Sequence, residues 1–256
     1  MELTRKNEAL IRTLHTRHGR KKSGLCICEG VRAVDELMLR RPELVRFSVA
    51  TAEALAALQE RRTVSGEVCI VPEAKLNELA GTVTPQGILT VAAVPAEPSV
   101  TEKPADPFIL ALDRLGDPGN FGTIVRSVCA VGLTELWYTK GSIDPYGDKA
   151  IRSALGAQFA LKLRSFPDLA ALRDCAVSLG YDRFCVTDPH DGENCFTAEN
   201  LYDRSVIVIG GEANGATMLP NCRHVMIPMP GDYESLNAAQ AATIFLFDYV
   251  RLNFKA

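Results

Sequence analysis

The sequence predicts an α/β protein built as two domains with an extended linker between them. Three observations lead there. At 256 residues the chain exceeds a usual single domain, and a hydrophobic share of 47% is enough to fill two cores. Short apolar runs alternate with stretches of helical periodicity, the pattern of α/β architecture. Between two such stretches, residues 95–107 carry four prolines and almost no apolar side chains, the composition of an extended segment. The division that follows is a first domain over 1–95, a linker over 96–106 and a second domain over 107–256.

In the first domain, a strand at 25–28 leads into a helix near 31–39, 45–50 leads into 52–62, and 68–71 leads into 73–79; a strand at 88–94 closes the set. In the second, the continuous apolar run 108–112 suits a central strand, and a helix follows from about 120 to 131, with Gly132 as its C-terminal stop. Strands are expected at 135–139 and 159–163. A helix then opens at Pro167, whose ring fits a first turn, and runs to 179 ahead of Gly180. Strands at 184–187, 206–209 and 225–227 complete a largely parallel sheet, and a last helix spans 238–252.

Composition narrows the function classes. No apolar run approaches the roughly 20 residues that span a bilayer, and the N-terminal stretch lacks the apolar core of a secretory signal. A cytoplasmic protein with no membrane partner is expected. Eight cysteines without a CxxC pair read as reduced thiols rather than as a disulfide framework or a zinc site. His15, His18, His190 and His224 are scattered, so no metal is expected. The net charge of −3 does not mark a nucleic-acid binder, but between Arg5 and Lys22 seven basic residues face one acid. Such a cluster attracts phosphates; a solvated, partly frayed terminus is an equally open reading.

Ligands of such sheets sit beyond the carboxyl ends of strands, so the loops 113–122, 210–216 and 228–237 are the places to search. The first, LDRLGDPGNFGTIVRS, spaces its glycines GxxGxxG rather than GxGxxG, and the next strand ends in Tyr-Thr-Lys without the acid that would hold a ribose. A dinucleotide fold is thereby disfavoured, and no phosphate-cradling GxxxxGK[ST] occurs. In the following helix, Ile124, Val125, Val128 and Cys129 form the apolar face and put Arg126 on the other side. Arg126 is open to a functional or a plain surface role, and Asn120 is equally explicable as a helix cap. In the second loop Gly210, Gly211 and Gly215 either turn the chain or let its backbone approach a flat ligand, with Glu212 set among them. In the third, Ser235 or Asn237 can cap a helix whose small residues suit close helix packing.

Taken together, LDRLGDPGNFGTIVRSVCAVG, VIVIGGEANG and IPMPGDYESLNAAQAA resemble, in order, the three signature motifs of the SpoU (TrmH) family of RNA 2′-O-methyltransferases, in the SPOUT superfamily. KAIRSALGA, between the first two, is similar to the family's Ser-x-Gly segment, and RKKSGLCICEGVR and TPQGIL resemble its N-terminal substrate-binding domain. The resemblance implies a C-terminal SPOUT α/β-knot domain, a deep trefoil knot, preceded by a small α/β ribosomal-protein-like RNA substrate-binding domain. Periodicity alone would not suggest a knot. It also implies S-adenosylmethionine as cofactor, held through Gly210, Gly211, Gly215, Ile227, Pro228, Met229 and Leu236. RNA, ribosomal rather than transfer RNA, would be the substrate, contacted by Arg17, Arg20, Lys21, Lys22 and Arg32. The family is a homodimer in which the partner's first-motif arginine completes each site.

Asn120, Arg126, Glu212, Ser235 and Asn237 fall at the family's catalytic positions. Methylating a 2′-hydroxyl requires in-line placement and a group that favours the developing oxyanion. A guanidinium with a pKa above about 12 is a costly base, so Arg126 is expected to act as a cation beside the adjacent phosphate. Glu212 and Asn120 would order it, and Ser235 and Asn237 would shape the catalytic loop. A transfer-RNA 2′-O-methyltransferase and a non-catalytic RNA-binding member of the fold are the alternatives.

Overall fold

The computed structural model describes residues 2–212, 215–232 and 234–254; Ala213, Asn214 and Tyr233 of the quoted motifs lie outside them. Two compact units are present, Met1–Ala96 with Asp144–Ala160, and Glu97–Ile143 with Leu161–Ala256. Residues 144–160, which a linear division gives to the second domain, pack within the first unit.

In the first unit, the side chains of Thr4 and Thr16 each accept a backbone N–H three residues on and so start α1 (Arg5–Leu14) and α2 (Arg17–Ser23). The basic N-terminus is helical and anchored by the buried Ile11 and Leu14 rather than frayed. Strands β1 (Leu25–Glu29), β2 (Val45–Ala50), β3 (Glu67–Ile70) and β4 (Ile88–Ala93) form a sheet in the order β1-β4-β2-β3, with β2 and β3 parallel and the other pairs antiparallel. Helices α3 (Val31–Arg40), α4 (Ala52–Gln59) and α5 (Glu73–Leu79) fill the connections that periodicity gives them. One sheet face buries Ile27, Val49, Leu89 and Val91 against Leu14, Leu76 and Leu79, and removing that apolar area from water is what holds the unit together.

Charged groups then lock 144–160, which carries α7 (Asp148–Ala154), to this unit. Arg20 is buried and donates to Asp144 at 3.0 and 2.8 Å and to the Leu14 carbonyl at 2.9 Å. This corrects the expectation that Arg20 faces RNA, because its guanidinium is consumed inside the fold. His15 lies 2.5 Å from Asp148 through Nδ1 and 2.8 Å from the Leu79 carbonyl through Nε2, the two acceptors that suit an imidazolium.

In the second unit, seven parallel strands form one sheet. They are β5 (Phe108–Asp113), β6 (Glu135–Thr139), β7 (Lys162–Phe166), β8 (Arg183–Thr187), β9 (Glu193–Asn194), β10 (Ser205–Gly210) and β11 (Arg223–Met226). Their order is β7-β6-β5-β10-β8-β11-β9. Helices α6 (Pro118–Ala130), α8 (Leu169–Ser178) and α9 (Ala238–Asn253) complete it. α6 and α9 pack together, with the alanines 238, 239 and 242 of α9 buried and Ser127 hydrogen-bonded to Thr243 at 3.2 Å.

Two sequence expectations shift here. The strand placed at 159–163 is a 3-10 turn, Ala157–Ala160, followed by β7, three residues later than the apolar run suggests. The run misleads because β7 buries Arg164, not only hydrophobes. The helix expected from Pro167 begins at Leu169, capped by Asp168.

Arg164 explains the linker. Its guanidinium pairs with the buried Glu135 at 2.8 Å, lies 5.0 Å over the Trp137 ring, and donates to the carbonyls of Ser99 at 2.8 Å and Glu102 at 3.0 Å. Glu97 accepts from the backbone and hydroxyl of Ser165, and Tyr181 donates to the Pro104 and Asp106 carbonyls. From Glu97 on, the proline-rich stretch is extended but stapled to the second unit's edge strand.

Replacing Arg164 with Met would strand Glu135 as a buried, unpaired carboxylate. Urea unfolding should report a loss of about 3–5 kcal/mol, and adding Glu135→Gln should recover part of it. In the first unit, the Asp148 hydrogen bond raises the His15 pKa; burial opposes it and the Leu79 carbonyl adds to it. A raised folded-state value means that this stabilisation is complete below about pH 6.5 and is lost as pH rises through the folded pKa. Melting curves should show that decline in the wild type and its absence in His15→Gln.

Candidate active site

The parallel sheet changes direction of growth between β5 and β10, with β6 and β7 on one side and β8 and β11 on the other. A crevice opens beyond the carboxyl ends of strands at such a reversal. There Gly210 lies opposite Asp113 in the strand register. Asp113 is buried. One carboxylate oxygen accepts the Thr139 hydroxyl at 2.7 Å, and the other accepts the Thr217 backbone N–H at 2.7 Å and its hydroxyl at 2.6 Å. Burial pushes this carboxyl's pKa up, but the bonds from Thr217 and Thr139, with Arg114 alongside, outweigh it and hold the group below the usual carboxylate range. The Asp113 carbonyl also accepts the Gly211 N–H at 2.9 Å.

The glycines of the second loop serve its own backbone. A Cβ on Gly210 would lie 2.0 Å from the Ala216 nitrogen, and one on Gly211 2.3 Å from the Arg114 carbonyl oxygen. Close approach of chain to chain, rather than of chain to a flat ligand, therefore excludes side chains at these two positions. Gly215, at φ +62°, has nothing within 4 Å of a built Cβ.

The three motifs meet through side chains. Asp117, not Asn120, caps α6 by accepting the Asn120 N–H at 2.7 Å, which frees the Asn120 amide. That amide donates to Glu212 and accepts from Asn237 Nδ2 at 2.9 Å. Asn237 caps α9 with its own oxygen, taking the N–H groups of Ala239 at 2.9 Å and Gln240 at 3.3 Å. One polar chain thus runs Glu212–Asn120–Asn237 across loops far apart in sequence.

Beside it lies a cavity of about 560 Å³, within the range of small-molecule sites. Gly210, Gly211, Glu212, Gly215, Ile227, Met229, Ser235, Leu236 and Asn237 line it; Pro228, Asn120 and Arg126 are not among its lining residues. Arg126 is exposed on α6. Sequence reasoning missed Thr187, Asp188 and His190, which line the cavity at the end of β8. That loop looked like a solvated turn because of its acids, and Asp188 does form one, accepting the His190 N–H at 2.8 Å. Its position after a parallel strand was the available signal. Of the residues expected to meet RNA, Arg17, Lys21, Lys22 and Arg32 are exposed and Arg20 is not.

Apolar walls from Ile209, Val225, Ile227, Leu236 and Phe245 and a rim of hydroxyl, amide and carboxylate groups fit a nucleoside carrying an amino-acid tail. Comparison with known proteins identifies the class. The model of the SpoU rRNA methylase family matches residues 107–247, and that of the MRM3-like substrate binding domain matches residues 9–90. An uncharacterized tRNA/rRNA methyltransferase of Synechocystis is 30% identical over 96% of this chain and 91% of its own. The 23S rRNA (guanosine(2553)-2′-O)-methyltransferase of Bacillus subtilis is 26% identical, with 91% and 92% covered. The crystal structure of the SpoU methyltransferase AviRb from Streptomyces viridochromogenes, in complex with S-adenosylmethionine, superposes with a TM-score of 0.81 at 25% identity, covering 98% of both chains.

Fold and site define an S-adenosylmethionine-dependent RNA methyltransferase. The chain belongs to the SpoU rRNA methylase family.

An amide at position 113 has one acceptor oxygen where the carboxylate has two, so Asp113→Asn should leave a threonine donor unmet. The unfolding free energy should fall by about 1–3 kcal/mol, and titration calorimetry should find S-adenosylmethionine bound at least about tenfold more weakly. Wild-type affinity in that variant would mean that the loop is held by something else.

Proposed function

We propose that this protein methylates a ribose 2′-hydroxyl of ribosomal RNA. The observation that carries the reading is the hydrogen-bonded chain Glu212–Asn120–Asn237 beside the cavity, which joins all three family motifs. The names of relatives, among them a 23S rRNA 2′-O-methyltransferase, support the sugar and the ribosomal substrate.

When bound, S-adenosylmethionine supplies an electrophilic methyl group. Leu236, Ile227 and Met229 would flank its base, with Gly210, Gly211 and Gly215 giving backbone contacts. Arg126 stays cationic, holds the phosphate next to the target ribose and lowers the energy of charge building on the attacking oxygen. Glu212 and Asn120 keep the rim ordered, and Ser235 and Asn237 set the loop that enters α9. Arg17, Lys21, Lys22 and Arg32 draw the RNA towards residues 1–95, which we assign as the substrate domain, with 107–256 as the catalytic domain.

Arg126 lies outside the lining of its own chain's cavity, which favours a homodimer in which each arginine serves the other copy. The deep trefoil knot of the superfamily would involve the second and third motifs, and a cytoplasmic location fits a ribosomal substrate. No helix among the described residues is long and apolar enough to cross a membrane.

The test is methyl transfer from labelled S-adenosylmethionine to ribosomal RNA, followed by alkaline hydrolysis, which a 2′-O-methyl blocks at the modified nucleotide. Arg126→Ala should lower the rate about 10²–10³-fold while S-adenosylmethionine affinity holds. A label on the base, or a wild-type rate in that variant, would overturn the assignment.

A further inference from the structure

The first unit contains a second cavity, of about 460 Å³, of whose lining only Arg32 has a role above. It lies where β1 runs into α3 and where the chain approaches β4, and its polar lining is Glu29, Arg32, Thr82, Thr84, Gln86 and Arg152. Its acid is already committed. Glu29 is buried, accepts the Gly81 N–H at 2.9 Å through one oxygen and takes the Thr82 hydroxyl on the other. Arg152 Nη1 lies 3.6 Å from that carboxylate, and the atom is buried with no hydrogen-bond partner among the described residues. A buried guanidinium nitrogen with unmet donors is costly, and a native structure keeps one where something else satisfies it.

Other groups at the cavity point to the same kind of ligand. Arg32 is exposed and makes no ion pair among the described residues. α3 starts at Gly30 without a capping side chain, and its first N–H, from Val31, is taken by Gln86 Oε1 at 3.2 Å. That bond fixes the Gln86 amide and leaves its Nε2 hydrogens without a partner among the described residues. Two guanidinium groups, a helix start and a fixed amide favour an anion. The cavity is larger than a phosphate needs and has the volume of a small-molecule site.

We propose that this cavity binds an unpaired nucleotide of the RNA substrate, its phosphate between Arg32 and Arg152 and its base edge against Gln86 and Thr84. The inference rests on the RNA-methylating reading above and adds a recognition site built from residues within 29–86 and from Arg152 of the KAIRSALGA segment. A concave pocket takes a base that has left its stack, and it excludes one held in a duplex.

The test is fluorescence anisotropy with a short labelled single-stranded RNA of mixed sequence, its duplex, and a free nucleoside monophosphate as competitor. Thr84 is exposed, so Thr84→Glu puts a carboxylate into the cavity with little risk to folding. It should weaken single-strand binding more than about tenfold, and Arg32→Ala should reduce the salt slope by about 0.7, one phosphate contact on a single strand. Val83→Glu, which adds the same charge next door but outside the lining, should cost less than about threefold because exposed charges are screened.

Equal loss in both glutamate variants or equal affinity for the duplex would each overturn the proposal; competition by the mononucleotide, which the same cavity would hold, supports it. Titrating S-adenosylmethionine into the wild type separates the two readings. Cofactor binding together with unaltered RNA affinity in Thr84→Glu rejects the cavity alone, whereas absence of cofactor binding rejects the methyltransferase reading.

Discussion

The second unit's cavity depends on a single buried carboxylate, that of Asp113. Parallel strands end with their loops free of sheet pairing, and here the loops after β5, β6 and β10 have to be held at one point. Asp113 takes the Thr139 hydroxyl from one and the Thr217 backbone and hydroxyl from another. The Thr139 hydroxyl oxygen accepts the Arg114 N–H at 3.0 Å, and Ser142 does the same for Leu115 at 3.1 Å, so the bonds pass from strand end to strand end. An ionised group in a buried site cannot release such donors cheaply. The loop carrying Gly210 and Gly211 is thus ordered during folding, and less entropy is left to lose when a ligand enters.

A buried charge fixes two other segments as well. Arg164 fixes the proline-rich stretch by donating to two of its carbonyls while Glu135 balances its charge. Arg20 fixes 144–160 through Asp144, with Gly147 approaching close enough that a Cβ would lie 3.2 Å from the guanidinium. The proline-rich stretch has few apolar side chains with which to dock, whereas 144–160 also buries Tyr146, Ile151 and Phe159. A planar, always charged donor with several fixed N–H directions serves better than a lysine in both places.

These buried charges also mark the limit of what the sequence discloses. Periodicity places β2, α5 and β6 at their observed bounds, because each buries one continuous or one regularly spaced apolar set. It misplaces β7, whose Arg164 has the composition of a surface residue and the burial of a core one. It reads Arg20 as part of a basic patch for the same reason. The loops that form the cavity are legible as strand-end turns rich in glycine and asparagine, and their joint meaning comes only from the family resemblance. Asp113 is not legible at all: Thr217, its main partner, is 104 residues away, and nothing local distinguishes it from any acid ending a strand. Nor does any local pattern reveal that α7 packs with the first unit, since its helix would form in either setting.

The geometry of α6 separates two residues that the motif prints close together. Asn120 and Arg126 are six positions apart, which at about 100° per residue sets them roughly 120° apart around the helix and about 9 Å along it. Asn120 is turned towards Glu212 and Asn237, and Arg126 occupies the exposed side away from the buried stripe of Phe121, Ile124, Val125 and Val128. The two side chains leave the helix on different sides. A rigid helix therefore serves two places at once, ordering the rim of its own cavity with Asn120 and presenting a cation outward with Arg126. In the proposed dimer that cation would come to the reacting oxygen from the other copy. The proposed dimer would then be part of the catalytic unit.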